Sequence, residues 1–130
     1  SGLTRNTDWK DIVRAVIESV AYQSFDLFKA MNRDGLKPRV VKVDGGMVSN
    51  NWFSQFLSDI LGIKVIRPKI NETTALGAAF MAGLYIGEFN SIKSISKIWK
   101  IDKRFSPMIN KSSKIKLLKG WKQAIKKTLI

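Results

Sequence analysis

Two short β-branched runs, Arg39-Val40-Val41-Lys42-Val43 and Ile63-Lys64-Val65-Ile66-Arg67, each stand between stretches of helical apolar spacing. That alternation limits the fold more than any other feature of the chain. β-Branched side chains fit a pleated surface and crowd a helix, so each run reads as a strand. Ahead of the first, Trp9, Ile12, Val13, Val16, Ile17, Val20, Ala21, Phe25, Phe28 and Met31 recur three and four residues apart, one face of a helix over 9–33. Thr7 is placed to cap it, Asp8 and Asp11 sit at the positive end of its dipole, and Asp34-Gly35 supplies the stop. Between the strands, Trp52, Phe53, Phe56, Leu57, Ile60 and Leu61 mark a second amphipathic helix, closed by Gly62. Pro68 ends the second strand, and Asn71-Glu72-Thr73-Thr74 opens a third helix of small residues. Helix, strand, helix, strand, helix is the order of an α/β fold with a parallel sheet and helices on its faces.

The third helix carries Gly77 and Gly83 among Ala75, Ala78, Ala79 and Ala82. Each glycine costs a helix roughly 1 kcal/mol against alanine, so close approach of another backbone is expected there. Residues 88–115 are polar with scattered isoleucines, and only 91–100 reads as helical. From Lys116 the spacing of Leu117, Leu118, Trp121, Ala124, Ile125 and Leu129 predicts a terminal helix to Ile130 that docks on the parent domain. The chain thus divides into residues 1–90, the α/β part, and 91–130, a basic extension ending in a helix.

Charge follows the same division. Of the formal net charge of +13, residues 1–90 contribute little, with 11 Lys and Arg against 9 acids. Residues 91–130 hold 12 Lys and Arg against a single acid, Asp102. Such a tail fits two readings: a solvated lysine-rich surface, or a basic module for nucleic acid or an anionic membrane. The lysines lack the interleaved aromatics of a single-strand binder, so no nucleic-acid partner is expected. Cysteine and histidine are both absent, which removes disulfides, thiolate metal sites and the commonest general base. No apolar run is long enough to span a bilayer and no leader opens the chain, so a cytoplasmic setting is expected. The opening Ser1-Gly2-Leu3, without methionine and close to a helix, reads as the start of a fragment or of a processed product.

Ligands of open α/β sheets bind beyond the carboxyl ends of the strands. The first strand ends there in Asp44-Gly45-Gly46, with a helix opening near Ser49-Asn50. Two glycines let main chain approach a ligand closely, and the free N–H groups of a turn and helix start attract anions. Asn50 offers both an acceptor and a donor to an adenine or ribose edge. A plain turn, with Asp44 capping it, fits the same residues. Glu72 reads as the cap of the third helix. No Gly-rich loop followed by Lys and Ser or Thr, no Gly-x-Gly-x-x-Gly and no pair of catalytic carboxylates accompanies the turn.

The stretches Gly2-Leu3-Thr4-Arg5, Glu18-Ser19-Val20-Ala21-Tyr22-Gln23, Val43-Asp44-Gly45-Gly46-Met47-Val48-Ser49-Asn50-Asn51, Gln55-Phe56-Leu57-Ser58-Asp59-Ile60-Leu61-Gly62, Glu72-Thr73-Thr74-Ala75-Leu76-Gly77-Ala78-Ala79 and Gly120-Trp121-Lys122-Gln123-Ala124 come in order and without a large gap. Together they resemble the FGGY carbohydrate kinase family, on its glycerol kinase branch; other sugar kinases of the family share the two glycines and the Ala-Leu-Gly-Ala-Ala block. The resemblance implies part of an actin-like, ribonuclease-H-like ATPase fold of two domains, with ATP or ADP and polyol in the cleft between them. It implies that Gly46 meets the phosphates through its backbone, that Asn50 faces the adenosine and that Gly45 shapes the turn. It places the third helix beside the adenine pocket as scaffold. The family's catalytic Asp, its glycerol-binding residues and the loops for the γ-phosphate and magnesium lie N-terminal to this segment. No catalytic residue is therefore expected in this chain, its partner is the missing N-terminal kinase region, and a homo-oligomer stays open. An uncovered sheet edge and an exposed apolar face are expected, with self-association or marginal stability. Some members carry a regulatory surface near the equivalent of 107–115. Asn110, Lys111, Ser112 and Ser113 depart from its acidic character, and that regulation is not carried over.

Overall fold

The computed structural model describes residues 2–70 and 72–129. Ser1, Asn71 and Ile130, expected at the chain start, the opening of the third helix and the end of the last one, lie outside the described residues. The first helix, α1, spans Trp9–Arg33 as its periodicity predicts, but its cap is Asp8 rather than Thr7. The Asp8 carboxylate accepts from the N–H groups of Lys10 and Asp11, and the Asp11 carboxylate accepts in return from the Asp8 N–H. This reciprocal pairing satisfies three donors at a helix start, which a single threonine cannot. Thr7 instead closes a small turn with Thr4.

Strand β1, Val40–Lys42, leads into a 3-10 turn over Gly46–Ser49 and then helix α2, Asn51–Leu61. Gly62 ends α2 in the left-handed conformation, φ 76°, and its N–H reaches the Ser58 carbonyl. Strand β2, Lys64–Pro68, pairs in parallel with β1, placing Val41 beside Val65. Helix α3 is Thr73–Tyr85, and a short helix α4, Ile92–Ser96, occupies part of the segment expected to be helical.

One strand escapes the sequence pattern. β3, Ile101–Phe105, pairs antiparallel with β2, so the order is β1-β2-β3 and the sheet is mixed rather than parallel throughout. Its central residues Asp102, Lys103 and Arg104 are charged and exposed. Only its two ends carry apolar side chains, as befits an edge strand whose charges discourage further pairing. Helix α5, Lys111–Thr128, starts a turn earlier than its apolar spacing suggests, because Asn110 caps it by accepting from the Ser113 N–H.

The core lies between α2 and the sheet. Phe53, Leu57 and Ile60 are buried from one face of α2 against Val65 and Phe105, with Ala21 and Tyr22 of α1 closing the other side. Ser54 and Ser58, both fully buried, stay satisfied through backbone carbonyls: Ser54 Oγ donates to Val48 and Ser58 Oγ to Ile63. α5 docks on this core through Trp121, which stacks on Tyr22 with centroids 5.4 Å apart and donates its Nε1–H to Asp26 at 2.7 Å. Burial and the nearby negative charge of Glu18 push the Tyr22 phenol above its ordinary range. The first half of α1 has no such cover: Trp9 is 68% exposed and Ile12 52%. No helix among the described residues is long and apolar enough to cross a membrane.

Candidate functional site

The carboxyl end of β1 and the start of α2 are joined by a turn in which Gly45, Gly46 and Asn50 differ in what the fold asks of them. Gly45 has φ 88° and ψ 173°, a region open almost only to glycine, and this reverses the chain as it leaves the strand. Gly46 follows with an unexceptional negative φ, and a Cβ added there would meet nothing within 4 Å. Neither the backbone nor the packing of this chain therefore requires glycine at 46. What glycine provides there is an exposed peptide that something outside the chain can approach.

Asn50 ends the 3-10 turn and begins α2. Its N–H reaches the Met47 carbonyl at 3.2 Å, and its Oδ1 accepts from Trp52 N at 2.9 Å and Phe53 N at 3.3 Å. The acceptor half of the amide is thus spent on the helix, and among the described residues its Nδ2 donor makes no bond within the chain. Gly45, Gly46 and Asn50 are brought together in one continuous turn.

Asp44 stands exposed, and its carboxylate makes no hydrogen bond within the turn, so it does not cap it as expected. Its neighbourhood is a small pocket of about 130 Å³ lined by Lys42, Val43, Asp44, Pro68, Thr73 and Trp99, at the carboxyl ends of both parallel strands. Lys42 Nζ lies 4.0 Å from the Trp99 ring centre, a cation–π contact that covers one wall. Glu72 occupies the cap position of α3 without making a side-chain bond to the helix.

The backbone approaches expected at the glycines of α3 are not found among the described residues. A Cβ at Gly83 would strike the Phe89 ring at 2.7 Å, so that glycine seats a side chain rather than a neighbouring backbone. A Cβ at Gly77 would meet nothing within 4 Å.

One residue of the site was not legible in the sequence. Arg67 of β2 is 8% exposed, and its guanidinium lies behind the turn. Nη1 donates to the carbonyls of Val48 and Ser49 at 2.7 and 3.1 Å, and Nη2 to Asn51 Oδ1 at 3.0 Å. Nε donates to Asp102 Oδ2 at 2.7 Å. In the sequence Arg67 is the last residue of a strand run with nothing to separate it from a solvated cation; the one available signal was a lone acid, Asp102, in an otherwise basic stretch. No cluster of three or more His, Cys, Asp or Glu able to hold a metal ion occurs among the described residues.

Residues 1–85 match the model of the FGGY family of carbohydrate kinases, C-terminal domain. The chain is 52% identical over 124 residues to the glycerol kinase of Alteromonas mediterranea, covering 95% of this chain and 25% of that protein. It is 48% identical over 129 residues to the glycerol kinase of Caldanaerobacter subterraneus, covering 98% and 26%. A solved structure of Plasmodium falciparum glycerol kinase with ADP superposes on the whole chain and 26% of its own length, with a TM-score of 0.82 and 35% identity. A xylulose kinase structure from Rhodospirillum rubrum, at 20% identity and a TM-score of 0.75, shares the fold. The chain spans about a quarter of the length of the curated relatives it matches.

Proposed function

The chain belongs to the FGGY family of carbohydrate kinases, as their C-terminal domain, and on that premise we propose that it forms the adenosine side of the ATP site in a kinase that phosphorylates glycerol to glycerol 3-phosphate. The observation that carries this reading is the contrast between the two glycines. Gly45 is required by its own backbone, whereas Gly46 is required by nothing inside the chain and leaves its peptide open to a phosphate. The Plasmodium relative's ADP supports the same ligand class here.

In this reading the Gly46 main chain contacts the phosphates, and Asn50 presents its Nδ2 donor to the adenosine while its Oδ1 holds the helix start in place. ATP supplies the phosphoryl group that passes to a glycerol hydroxyl. Phosphoryl transfer rests on positioning and charge stabilisation by many parts at once. Magnesium ligands, the catalytic base and the glycerol contacts come from the rest of the kinase length, the partner of this segment. Residues 1–90 are the nucleotide-side part and 91–130 its basic extension. The uncovered half of α1, with a shallow groove of about 250 Å³ between Trp9, Val13, Ile17 and Trp52, is surface available to that partner. A cytoplasmic setting suits an enzyme that draws on ATP.

Titration of ADP into the chain, alone and with a separately produced N-terminal kinase region, tests the reading. Amide shifts centred on residues 45–50 are expected, with activity on glycerol only in the mixture. Asn50→Ser keeps an acceptor for the helix cap and deletes the amide donor; undiminished ADP affinity in that variant would remove Asn50 from the site. ADP shifts centred elsewhere would remove the turn altogether.

A further inference from the structure

Among the described residues Arg67 is the only buried arginine, and each of its three nitrogens is committed. Two of its acceptors, the carbonyls of Val48 and Ser49, belong to the 3-10 turn that begins at Gly46; a third, Asn51 Oδ1, belongs to the first residue of α2. Both peptide planes that connect Gly46 to Asn50 on the α2 side are therefore pinned from one rigid fork. A planar guanidinium can do this, because it carries five N–H donors at set angles; an ammonium is a single point with rotating donors.

The fork is itself held. Asp102 Oδ2 lies 2.7 Å from Nε and 2.6 Å from Nη2. The pairing of β2 with β3 explains how this acid arrives there. Arg67 stands opposite Lys103 and Pro68 opposite Ile101, so Asp102 is the extra residue of a bulge. In a regular ladder Asp102 and Lys103 would point to opposite faces of the sheet. A bulge breaks that alternation and re-aims a side chain, here toward the guanidinium. Pro68, with no N–H to donate, is the natural place for the ladder to slip. The Phe105 ring, 5.6 Å from Cζ, closes one side of the guanidinium.

We propose that Arg67 is a positioning residue for the ligand-receiving turn, locked in place by the bulged Asp102, so that β3 sets the shape of the site without touching its ligand. The assignment rests on reading that turn as the nucleotide contact. Its contribution is geometric rather than a matter of field: a cation paired at 2.6 Å with a carboxylate presents little net charge to a phosphate. It also gives the lone acid of residues 91–130 a task.

Amide hydrogen exchange of the full chain, followed residue by residue, decides the matter without any nucleotide. In Arg67→Lys the amides of Asn50, Phe53 and Ser54 are expected to exchange about tenfold faster or more, as befits loss of hydrogen bonds to a charged group, while those of Ile60 and Val65 change far less. Asp102→Asn keeps shape and removes the charge, and is expected to show the same local pattern, about threefold. It carries the test if the Arg67 variant does not fold. Unchanged turn amides in Asp102→Asn and Arg67→Lys, or one uniform acceleration over the whole chain, would overturn the proposal. With the N-terminal kinase region present, Asp102→Asn should weaken ADP binding with no matching loss of melting temperature. If the unsubstituted chain binds no ADP in that mixture, the nucleotide reading fails, and the exchange pattern still decides whether Arg67 positions the turn.

Discussion

Helices α2 and α3 each follow a strand of the parallel pair, and they are of similar length, 11 and 13 residues. Their surroundings could hardly differ more. α2 buries five residues, from Phe53 to Ile60, while α3 buries only Gly83 and leaves Met81 59% exposed and Tyr85 92% exposed. The sequences already differ in kind. α2 has large side chains on one face and polar ones on the other, whereas α3 is apolar on every side and built of small residues. A helix with one apolar stripe finds its cover on a single surface, but one apolar all round needs cover on several. α2 therefore meets its full complement inside this chain, and α3 does not. The difference marks where the chain is complete as a folding unit and where its surface is suited to more protein.

The sharpest way to break this comparison is to truncate one side chain in each helix. Ile60→Ala, at a fully buried position of α2, should cost about 2–5 kcal/mol in urea unfolding of the chain. Met81→Ala in α3 should stay within about 0.5 kcal/mol, as expected for an exposed site. Equal losses would mean that α3 is covered in solution, by a second copy or by rearrangement.

A second pair of substitutions sharpens the same division at the site. Gly45→Ala places a side chain in a conformation that L-residues avoid and should cost about 1–3 kcal/mol. Gly46→Ala should leave unfolding nearly unchanged, since its Cβ enters open space, and should weaken ADP binding in the presence of the N-terminal region. Loss of stability at Gly46 comparable to that at Gly45 would show that both glycines serve the fold alone.

The smallest effect is expected at Gly77. In this chain alanine there meets nothing, so Gly77→Ala should raise stability by up to about 1 kcal/mol through helix propensity. If the same change weakens association with the N-terminal region, the glycine is a seat for that partner. If it does not, the helix simply tolerates the glycine.

Much of the fold was readable because its signals are local. The face of α1, the stop at Gly62 and the strand at Val40–Lys42 follow from spacing, from a left-handed cap and from β-branching, which act within a few residues. The cap at Asp8 was misread because Thr7 and Asp8 are both good caps, and only the reciprocal bond from Asp11 separates them. β3 was missed because its core is Asp102, Lys103 and Arg104, a charged run that becomes a strand only when β2 offers it hydrogen bonds. The helix glycines were read alike although they differ: one seats Phe89 and the other faces open space.

The sequence by itself determined the order of the first three helices and two strands, the place of the Gly45-Gly46 turn at a strand's carboxyl end, and the family to which the chain is similar. All three depend on residues close together or on their order. The tertiary structure alone decided that the third strand runs antiparallel, that a bulge turns Asp102 toward Arg67, and that Arg67 holds the turn from behind. The side-chain contacts of Arg67 join residues 16 to 35 positions apart, and an isolated arginine or aspartate carries no mark of which distant partner the folded chain will bring to it.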